Sequence, residues 1–402
     1  MKRKLNVSII VLDTLKLEMF NRIISQNPNM IKNFNAVRFE NCIAPGSWTL
    51  PSHASLFTGL YQSEHECHET KEIKSLDIDR IKLTKRTILE KFKDMRYSTY
   101  GISANPYIHP VYGFKGFDTY IAESYFTDLF GSVIEVSNEL KPRIAKYRNL
   151  YGSDVLKLSH AVAKEDPKLF LDLALSATML TPKAAMKKIK AKFIDGWPVE
   201  KGGSSILKTI RNLEFKQPFF LFVNFMEAHD PYIGAKGKDF NWVTPFLKKE
   251  TDQKLLHSWR KLYDKASIKA MRYGTELIRN LLERFGDDQI IILTSDHGQL
   301  FGEYGFIGHG TVIYDEMIKV PLLVILPKSF NKNVKAKGYQ SLVNIPTFIE
   351  AALSGDKDAI SKLTTASVIA ETFSIPANIA NIKGVDKRKM AKFDKYQKRV
   401  FK

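Results

Sequence analysis

Short apolar runs divide the chain into candidate strands. Four runs are too short for a typical helix and are rich in Val, Ile, Leu or Phe without clean alternation: Val7–Leu12, Phe219–Met226, Ile290–Leu293 and Val320–Leu326. Runs of this kind are typical of parallel strands that are covered on both faces of a sheet. We therefore expect all four to be strands of a parallel sheet.

Helical patterns lie between these runs. One of them, Thr87–Met95, precedes a further strand candidate at Tyr97–Ser103, and another, Ser267–Phe285, precedes Ile290–Leu293. Strands that alternate with helices predict an α/β fold with a mostly parallel central sheet and helices on both faces.

Two regions depart from this alternation. The first is rich in Leu, Ala and Lys and has helical patterns at Pro167–Leu180 and Pro182–Phe193, which predicts a helical insertion or cap. The second, near the end of the printed sequence, is strongly basic. The predicted organisation is an α/β catalytic domain at residues 1–122 and 216–355, a helical insertion or cap at 123–215, and a basic C-terminal segment at 356–402.

Charge and composition narrow the classes of partner. Lys and Arg number 61 against 43 acidic residues, a formal charge of +18, which favours an anionic substrate, an anionic lipid or nucleic acid. No helix-turn-helix, zinc-finger or aromatic RNA-binding pattern is present, so we expect no specific nucleic-acid binding. No run approaches the roughly 20 apolar residues that cross a bilayer.

Lysines in the predicted insertion suggest one further partner. They interleave with apolar residues at helical spacing, a pattern compatible with peripheral contact with an anionic membrane. The simpler alternative is the solvated face of an ordinary helix. These lysines are Lys183, Lys187, Lys188, Lys190 and Lys192.

The only cysteines, Cys42 and Cys67, form no disulfide framework, which favours a reducing compartment and hence the cytoplasm.

Polar residues follow three of the predicted strands. Asp13 follows the first run, Glu227–Asp230 follows the second, and Asp296-His297-Gly298 follows the third. In an open α/β sheet, ligands bind beyond the carboxyl ends of the strands, so these positions are candidates for a site. Any one of them is also compatible with a turn or helix-cap residue.

A loop that enters a short helix forms a fourth candidate. The segment Ser47–His53 leads into apolar residues, with Pro51 in the first helical turn and Gly59 as the end signal, which places Thr49 at the helix N-terminus. Thr49 either caps the helix or acts as a nucleophile where helix N–H groups face a tetrahedral anion and a metal lowers the pKa of its hydroxyl.

These blocks resemble, in order, the motifs of the alkaline phosphatase superfamily in its sulfatase-like branch. The resemblance covers roughly residues 5–120 and 216–350. It rests on Asn6–Asp13, Thr49–Gly59, Phe219–Tyr232, Thr294–Gly298 and Gly308-His309-Gly310.

The resemblance implies roles for individual residues. Asp13, Asp296 and His297 would be metal ligands, and Thr49 would be the nucleophile that also contacts the metal. The implied substrate-facing residues are His229, His309 and His53, where the last two replace a lysine and an arginine that are usual in sulfatases. His65 matches another histidine near the site, with a structural role as the alternative.

Two departures from the sulfatase pattern favour phosphoryl transfer. Thr49 stands where sulfatases have the Cys or Ser that becomes formylglycine, and Asp13-Thr14 replaces a pair of aspartates. Both changes resemble phosphodiesterases and phosphoethanolamine transferases of the superfamily. Phe225 stands four residues before His229, where two-zinc members have an aspartate, so we expect one divalent metal ion: Mn, Zn or Mg, with Ca as a further candidate.

The predicted function is a metal-dependent hydrolase or transferase that acts on phosphate esters through Thr49. The substrate would be an anionic ester, with a glycan or a lipid head group as candidate carriers. A sulfatase is the first alternative. The second, from another class, is a non-catalytic binding protein for an anionic glycan, lipid or nucleic acid.

Overall fold

The structure, a computed structural model, has a mixed parallel and antiparallel β-sheet at the centre of the fold, with helices on both of its faces. It describes residues 4–75, 77–123, 160, 162–168, 170, 201–230, 232, 253–332, 338–376, 385–389 and 400–401. The predicted helix at Pro182–Phe193, its lysines and most of Pro167–Leu180 lie outside the described residues, as do residues 377–384, 390–399 and 402 of the basic C-terminal segment.

The regular elements follow the predicted alternation. The strands are β1 Asn6–Leu12, β2 Ala36–Ile43, β3 Ser98–Ser103, β4 Thr119–Ala122, β5 Phe219–Phe225, β6 Gln289–Thr294, β7 Leu300–Phe301, β8 Ile307–Gly308, β9 Lys319–Ile325, β10 Tyr339–Ser341, β11 Thr364–Thr365, β12 Ile369–Ala370 and β13 Val400–Phe401. The helices are α1 Leu17–Gln26, α2 Thr49–Thr58, α3 Gln62–His65, α4 Ile78–Ile81, α5 Ile88–Asp94, α6 Gly203–Asn212, α7 Gln253–Phe285, α8 Asp315–Ile318 and α9 Ile345–Ser354.

Nine of these strands form one sheet in the order β11-β10-β2-β9-β6-β1-β5-β3-β4. β1 lies next to the central strand β6 and pairs in parallel with β6 on one side and with β5 on the other, and β3 and β4 continue the parallel arrangement. The mostly parallel sheet is therefore confirmed.

One strand runs against the prediction. The run Val320–Leu326 was expected to be parallel, but β9 pairs antiparallel with both β6 and β2. β9 is reached from β6 through loops, the short hairpin β7–β8 and the single turn α8, without the long crossover helix that a parallel connection requires. The apolar sequence of β9 therefore reflects its burial on both faces and does not indicate the direction in which the strand runs.

Two apolar layers cover the faces of the sheet. On one face, side chains such as Val7 and Ile9 of β1 pack against α2, α5 and α9. On the other face, Ile10 and Leu12 of the same strand pack against α1, α6 and α7. Because alternate residues of β1 enter opposite layers, the strand is buried throughout, as its continuous apolar sequence predicts. No helix among the described residues is long and apolar enough to cross a membrane.

Part of the predicted C-terminal segment packs tightly on this domain. The backbone N–H groups of Phe373 and Ser374 each donate to Oε1 of the buried Glu69 at 3.2 Å, and the Trp48 indole N–H donates to Oε2 of the same carboxylate at 2.7 Å. This contact joins residues 371–374 to the loop that precedes Thr49.

Both cysteines, Cys42 and Cys67, are free thiols with no exposed surface, and burial raises the pKa of each.

Candidate active site

The candidate residues meet at the carboxyl ends of three neighbouring strands. Asp13 follows β1, Asp296 follows β6, and Glu227–Asp230 follows β5. β1 pairs in register with both neighbours, so the ends of the three strands lie side by side. Thr49 is the first residue of α2, at the N-terminus predicted from the sequence.

Asp13, Asp296 and His297 form the first group of side chains, here called the aspartate cluster. Each has a potential ligand atom, and these atoms all lie within 4.8 Å of one another. His297 Nε2 is 3.3 Å from Asp296 Oδ2 and 3.9 Å from Asp13 Oδ1, and all three side chains have 0% exposure. The structure thus brings together the three residues that the sequence proposed as metal ligands.

One oxygen of each carboxylate in the aspartate cluster has no hydrogen-bond partner among the described residues. The His297 ring is 2.9 Å from the Gly298 carbonyl through Nδ1, which must carry the hydrogen because a carbonyl only accepts. Nε2 is then the lone-pair nitrogen. Asp13 Oδ1 and Asp296 Oδ2 have no hydrogen-bond partner within the described part of the chain.

The electrostatics of the aspartate cluster call for a cation. Burial, followed by the neighbouring Asp296 carboxylate, raises the pKa of Asp13, and burial raises the pKa of Asp296 to about 6. Burial also lowers the pKa of His297 to about 4, so the imidazole supplies no compensating charge at neutral pH. Two buried carboxylates that point at one position are costly without a positive partner. Two carboxylate oxygens and one imidazole nitrogen therefore fit a divalent metal ion.

Thr49 lies beside these unpartnered atoms. Its Oγ1 is 3.4 Å from His297 Nε2 and accepts a hydrogen bond of 3.2 Å from Asn105 Nδ2. The same amide donates to Asp13 Oδ2 at 2.7 Å, and Asn224 Nδ2 lies 3.3 Å from that oxygen. Asn105 therefore holds the candidate nucleophile and a candidate ligand together.

Two further histidines from the sequence analysis are buried beneath the site. His53 Nδ1 donates to the Thr49 carbonyl at 2.8 Å and lies 3.6 Å from Asp296 Oδ2, and burial lowers the pKa of His53 to about 3. His65 bonds instead to Ser55 Oγ at 3.0 Å and to the backbone N–H of Cys67 at 3.0 Å. Both ring nitrogens of His65 are thus engaged in structural contacts, the alternative that the sequence left open.

His229, Asp230 and His309 form a second group, here called the histidine cluster. Their potential ligand atoms also lie within 4.8 Å of one another. Asp230 Oδ1 is 3.5 Å from Nδ1 of each histidine, and the three side chains are 15–17% exposed. The His309 ring centroid lies 4.7 Å from those of His229 and His297, so the two clusters adjoin.

The two histidines of the histidine cluster use Nδ1 as a hydrogen-bond donor. His309 Nδ1 lies 2.7 Å from Gln299 Oε1, and His229 Nδ1 contacts the Asp230 carbonyl, so both Nδ1 atoms act as donors and both Nε2 atoms keep a lone pair. Burial lowers the pKa of His309 well below its ordinary value, with His297 and His229 adding to the shift. At neutral pH His309 is a neutral imidazole.

A buried lysine, Lys201, joins the histidine cluster and was not recognised in the sequence. Its ammonium donates to the His229 carbonyl, lies 5.8 Å from the centre of the Tyr232 ring, and is 2% exposed. Burial lowers the pKa of Lys201 to about 8, and Asp230, Glu227 and Asp13 oppose that shift. At neutral pH this side chain is therefore a cation among carboxylates.

The family comparison covers most of the chain. A protein-family model described as Sulfatase matches residues 6–354. The low-salt glycan biosynthesis sulfotransferase Agl7 of Haloferax volcanii is 30% identical over 145 residues, which are 34% of each chain. The match thus spans about a third of that curated relative.

Solved structures share the fold. The phosphonate monoester hydrolase of Agrobacterium radiobacter superposes with a TM-score of 0.60 at 15% identity, covering 96% of this chain and 83% of that one. The corresponding enzyme SpPMH of Silicibacter pomeroyi gives 0.54 at 14%, covering 93% and 81%. The soluble domain of lipooligosaccharide phosphoethanolamine transferase A of Neisseria meningitidis gives 0.51 at 11%, covering 90% and 94%. At these identities the likeness concerns the fold alone.

Proposed function

This chain belongs to the sulfatase family, within the alkaline phosphatase superfamily, and from that premise we propose that it is a metal-dependent enzyme that cleaves or transfers phosphate esters through Thr49. The observation that carries the proposal is the position of Thr49 Oγ1 at a helix N-terminus, 3.4 Å from His297 Nε2 and beside the inward atoms of the aspartate cluster. A hydroxyl at this position can meet a tetrahedral anion and a metal together.

The proposed centre holds one divalent ion, bound by Asp13, Asp296, His297 and Thr49 Oγ1. Such an ion would stabilise charge on the ester oxygens and lower the pKa of the hydroxyl. Asn105 orients Thr49 through its 3.2 Å hydrogen bond, while His53 fixes the Thr49 backbone carbonyl from beneath. His53 thereby has a positioning role in this scheme, since it lies behind the nucleophile.

In the first chemical step Thr49 Oγ1 forms a bond to phosphorus while the bond from phosphorus to the leaving oxygen breaks. The hydroxyl proton passes to a lone-pair nitrogen of His229 or His309 and from there to the departing alcohol. In this scheme the same imidazoles contact the equatorial oxygens, whose charge needs fixed polar partners. Water or an acceptor alcohol then attacks the threonine ester and releases Thr49.

Phosphate is favoured over sulfate as the first candidate because threonine cannot form the aldehyde hydrate that sulfatases use. The basic composition suits an anionic ester, with a glycan or a lipid head group as the carrier. A second candidate is sulfuryl transfer to a glycan, which the partial match to the Haloferax volcanii sulfotransferase favours. Both candidates use the same site and nucleophile.

The test compares kcat/KM on matched aryl phosphate, phosphodiester and sulfate substrates, with Mn²⁺, Zn²⁺ or Mg²⁺ and with a sugar acceptor present or absent. We expect phosphate esters to be preferred, and acid-quenched enzyme to contain a Thr49 peptide that is heavier by one phosphoryl group. Thr49→Ala should lose about 10³-fold or more in kcat/KM, whereas Thr49→Ser should retain part of the activity.

Two results would contradict the proposal. A preference for sulfate with a sulfated Thr49 peptide would replace the first candidate with the second. Full activity of Thr49→Ala on every substrate would remove the nucleophile from both.

A further inference from the structure

The two clusters offer similar ligand atoms but differ in their positive partners. The aspartate cluster has no Lys or Arg ion pair in the described ranges of the chain. The histidine cluster has Lys201, whose ammonium donates to the backbone carbonyl of His229 and whose charge interacts more strongly with Asp230 than with Asp13 of the aspartate cluster. A divalent ion that entered the histidine cluster would therefore meet a positive charge that is already buried there.

The position of Lys201 is built into the packing. The next helix, α6, begins two residues later at Gly203, whose backbone N–H donates to Glu227 Oε1 at 3.0 Å. A Cβ on Gly203 would lie 2.3 Å from the Tyr273 ring and 2.7 Å from Glu227 Oε1, so only glycine permits this close approach. The start of α6 is thus held against the end of β5, and Lys201 is held against His229.

The Lys201 side chain is buried, so its charge acts on the residues packed around it. It is 2% exposed, and its ammonium is bonded to the His229 carbonyl with the Tyr232 ring 5.8 Å away. A lysine that only contributed surface charge would extend into water, because burial of an ammonium is costly unless it is paired. The buried charge therefore acts on its neighbours, which are the carboxylates and imidazoles of the histidine cluster.

We propose that Lys201 excludes a second divalent ion from the histidine cluster and so keeps His229 and His309 available to the oxygens of the ester. Repulsion between a buried ammonium and a divalent ion in the same buried region is strong enough to weaken binding by about 100-fold or more. The charge of Lys201 offsets part of the charge of Asp230 without a metal, and the Nε2 lone pairs remain unligated. This inference rests on the proposed function, in which the aspartate cluster holds the single catalytic ion.

The test counts bound metal, not turnover. Metal-free protein is dialysed to equilibrium against Zn²⁺ or Mn²⁺ over a range of concentrations, and the ratio of metal to protein is measured by mass spectrometry. We expect one ion in the wild type and in Lys201→Arg, and two ions in Lys201→Met, with the second ion bound at least about 100-fold more tightly than any second ion in the wild type. Lys201→Gln serves as a second neutral variant if Lys201→Met does not fold.

Two controls identify where the additional ion binds. Lys201→Met combined with Asp230→Asn should return the ratio to one, because the second ion loses its carboxylate. Lys16→Met removes another buried lysine, one that pairs with Glu303 at 3.7 Å, and should leave the ratio at one.

Three outcomes separate this inference from the proposed function. Two tightly bound ions in the wild type would overturn the role of Lys201, as would a ratio that stays at one in both neutral variants. No bound ion in the wild type would contradict the proposed function, while a gain of one ion on removal of Lys201 would still support the inference.

Discussion

The aspartate and histidine clusters adjoin, yet they differ in the positive charge that lies near their carboxylates. The aspartate cluster is 0% exposed and leaves Asp13 Oδ1 and Asp296 Oδ2 without partners. The histidine cluster is 15–17% exposed and contains one carboxylate, Asp230, beside a buried ammonium. Similar ligand atoms at similar spacing therefore do not specify the same occupant.

The difference teaches that the net charge of a cluster is as informative as its geometry. Two carboxylates without a nearby lysine or arginine make a divalent ion favourable, whereas the carboxylate of the histidine cluster already has the positive charge of Lys201 close by. A group of partly exposed imidazoles beside a buried lysine is better suited to contact an anionic ester than to compete for metal.

The largest expected effect comes from removing one carboxylate from each cluster in turn. Asp296→Asn should lose the bound ion and about 10³-fold or more in kcat/KM, because Lewis-acid stabilisation is worth several kcal/mol. Asp230→Asn should keep the ion and lose roughly 10–100-fold, because it removes the negative charge that lies 3.5 Å from Nδ1 of His229 and of His309 without removing a metal ligand. Elemental analysis and steady-state kinetics check both variants. Equal loss of metal in the two would abolish the distinction between the clusters.

A smaller effect is expected from the amides that support the aspartate cluster. Asn105→Ala removes hydrogen bonds to both Asp13 and Thr49, so metal affinity or kcat should fall roughly 10–100-fold. Asn224→Ala removes only a 3.3 Å contact to the same carboxylate and should cost less. Competition with a chelating dye measures the affinity. A larger loss in the Asn224 variant would show that the shorter hydrogen bond is not the one that orients Asp13.

The smallest effect concerns the stability of metal-free protein as pH falls. Burial lowers the pKa of His65 to about 3 and that of His297 to about 4, so below about pH 6.5 the unfolded chain binds more protons than the folded one. Stability should therefore decrease on acidification, by up to about 1.4 kcal/mol per pH unit for each such histidine. The raised pKa values of Asp13 and Asp296 act in the opposite direction and offset part of this loss.

His65 offers a clean measurement because it lies outside both clusters. His65→Gln should reduce the pH dependence of the unfolding free energy by about one histidine's share between pH 5 and 6.5, as measured by urea denaturation in the presence of a chelator. An unchanged slope would mean that His65 is not buried in its neutral form.

The strands could be predicted because burial on two faces leaves a simple signature. The run Val7–Leu12 matches β1 to within one residue, and Phe219–Met226 matches β5 equally well. The same pattern marked Asp13 and Asp296 as separate site candidates at strand ends, and the family resemblance placed them in one ligand set. The direction of β9 did not follow, because an apolar run carries no information about which neighbour it joins.

The roles of Asn105 and Lys201 could not be predicted from the sequence because their contacts are distant along the chain. Asn105 is 92 positions from Asp13, and Lys201 is 28 positions from His229, so neither contact has a local signature. The start of α7 was also missed, although its signal was present. Leu256, Trp259 and Tyr263 are buried at helical spacing and extend the helix back to Gln253, well before the predicted start at Ser267.

The burial of both cysteines makes this protein convenient for spectroscopic labelling. Cys42 and Cys67 have no exposed surface and raised pKa values, so at neutral pH neither presents a reactive thiolate to a maleimide dye. A cysteine introduced at Phe170, which is 43% exposed within the predicted insertion, would then be the one readily labelled thiol. An environment-sensitive dye at that position would report changes around the insertion when substrate binds, without any need to remove the native cysteines.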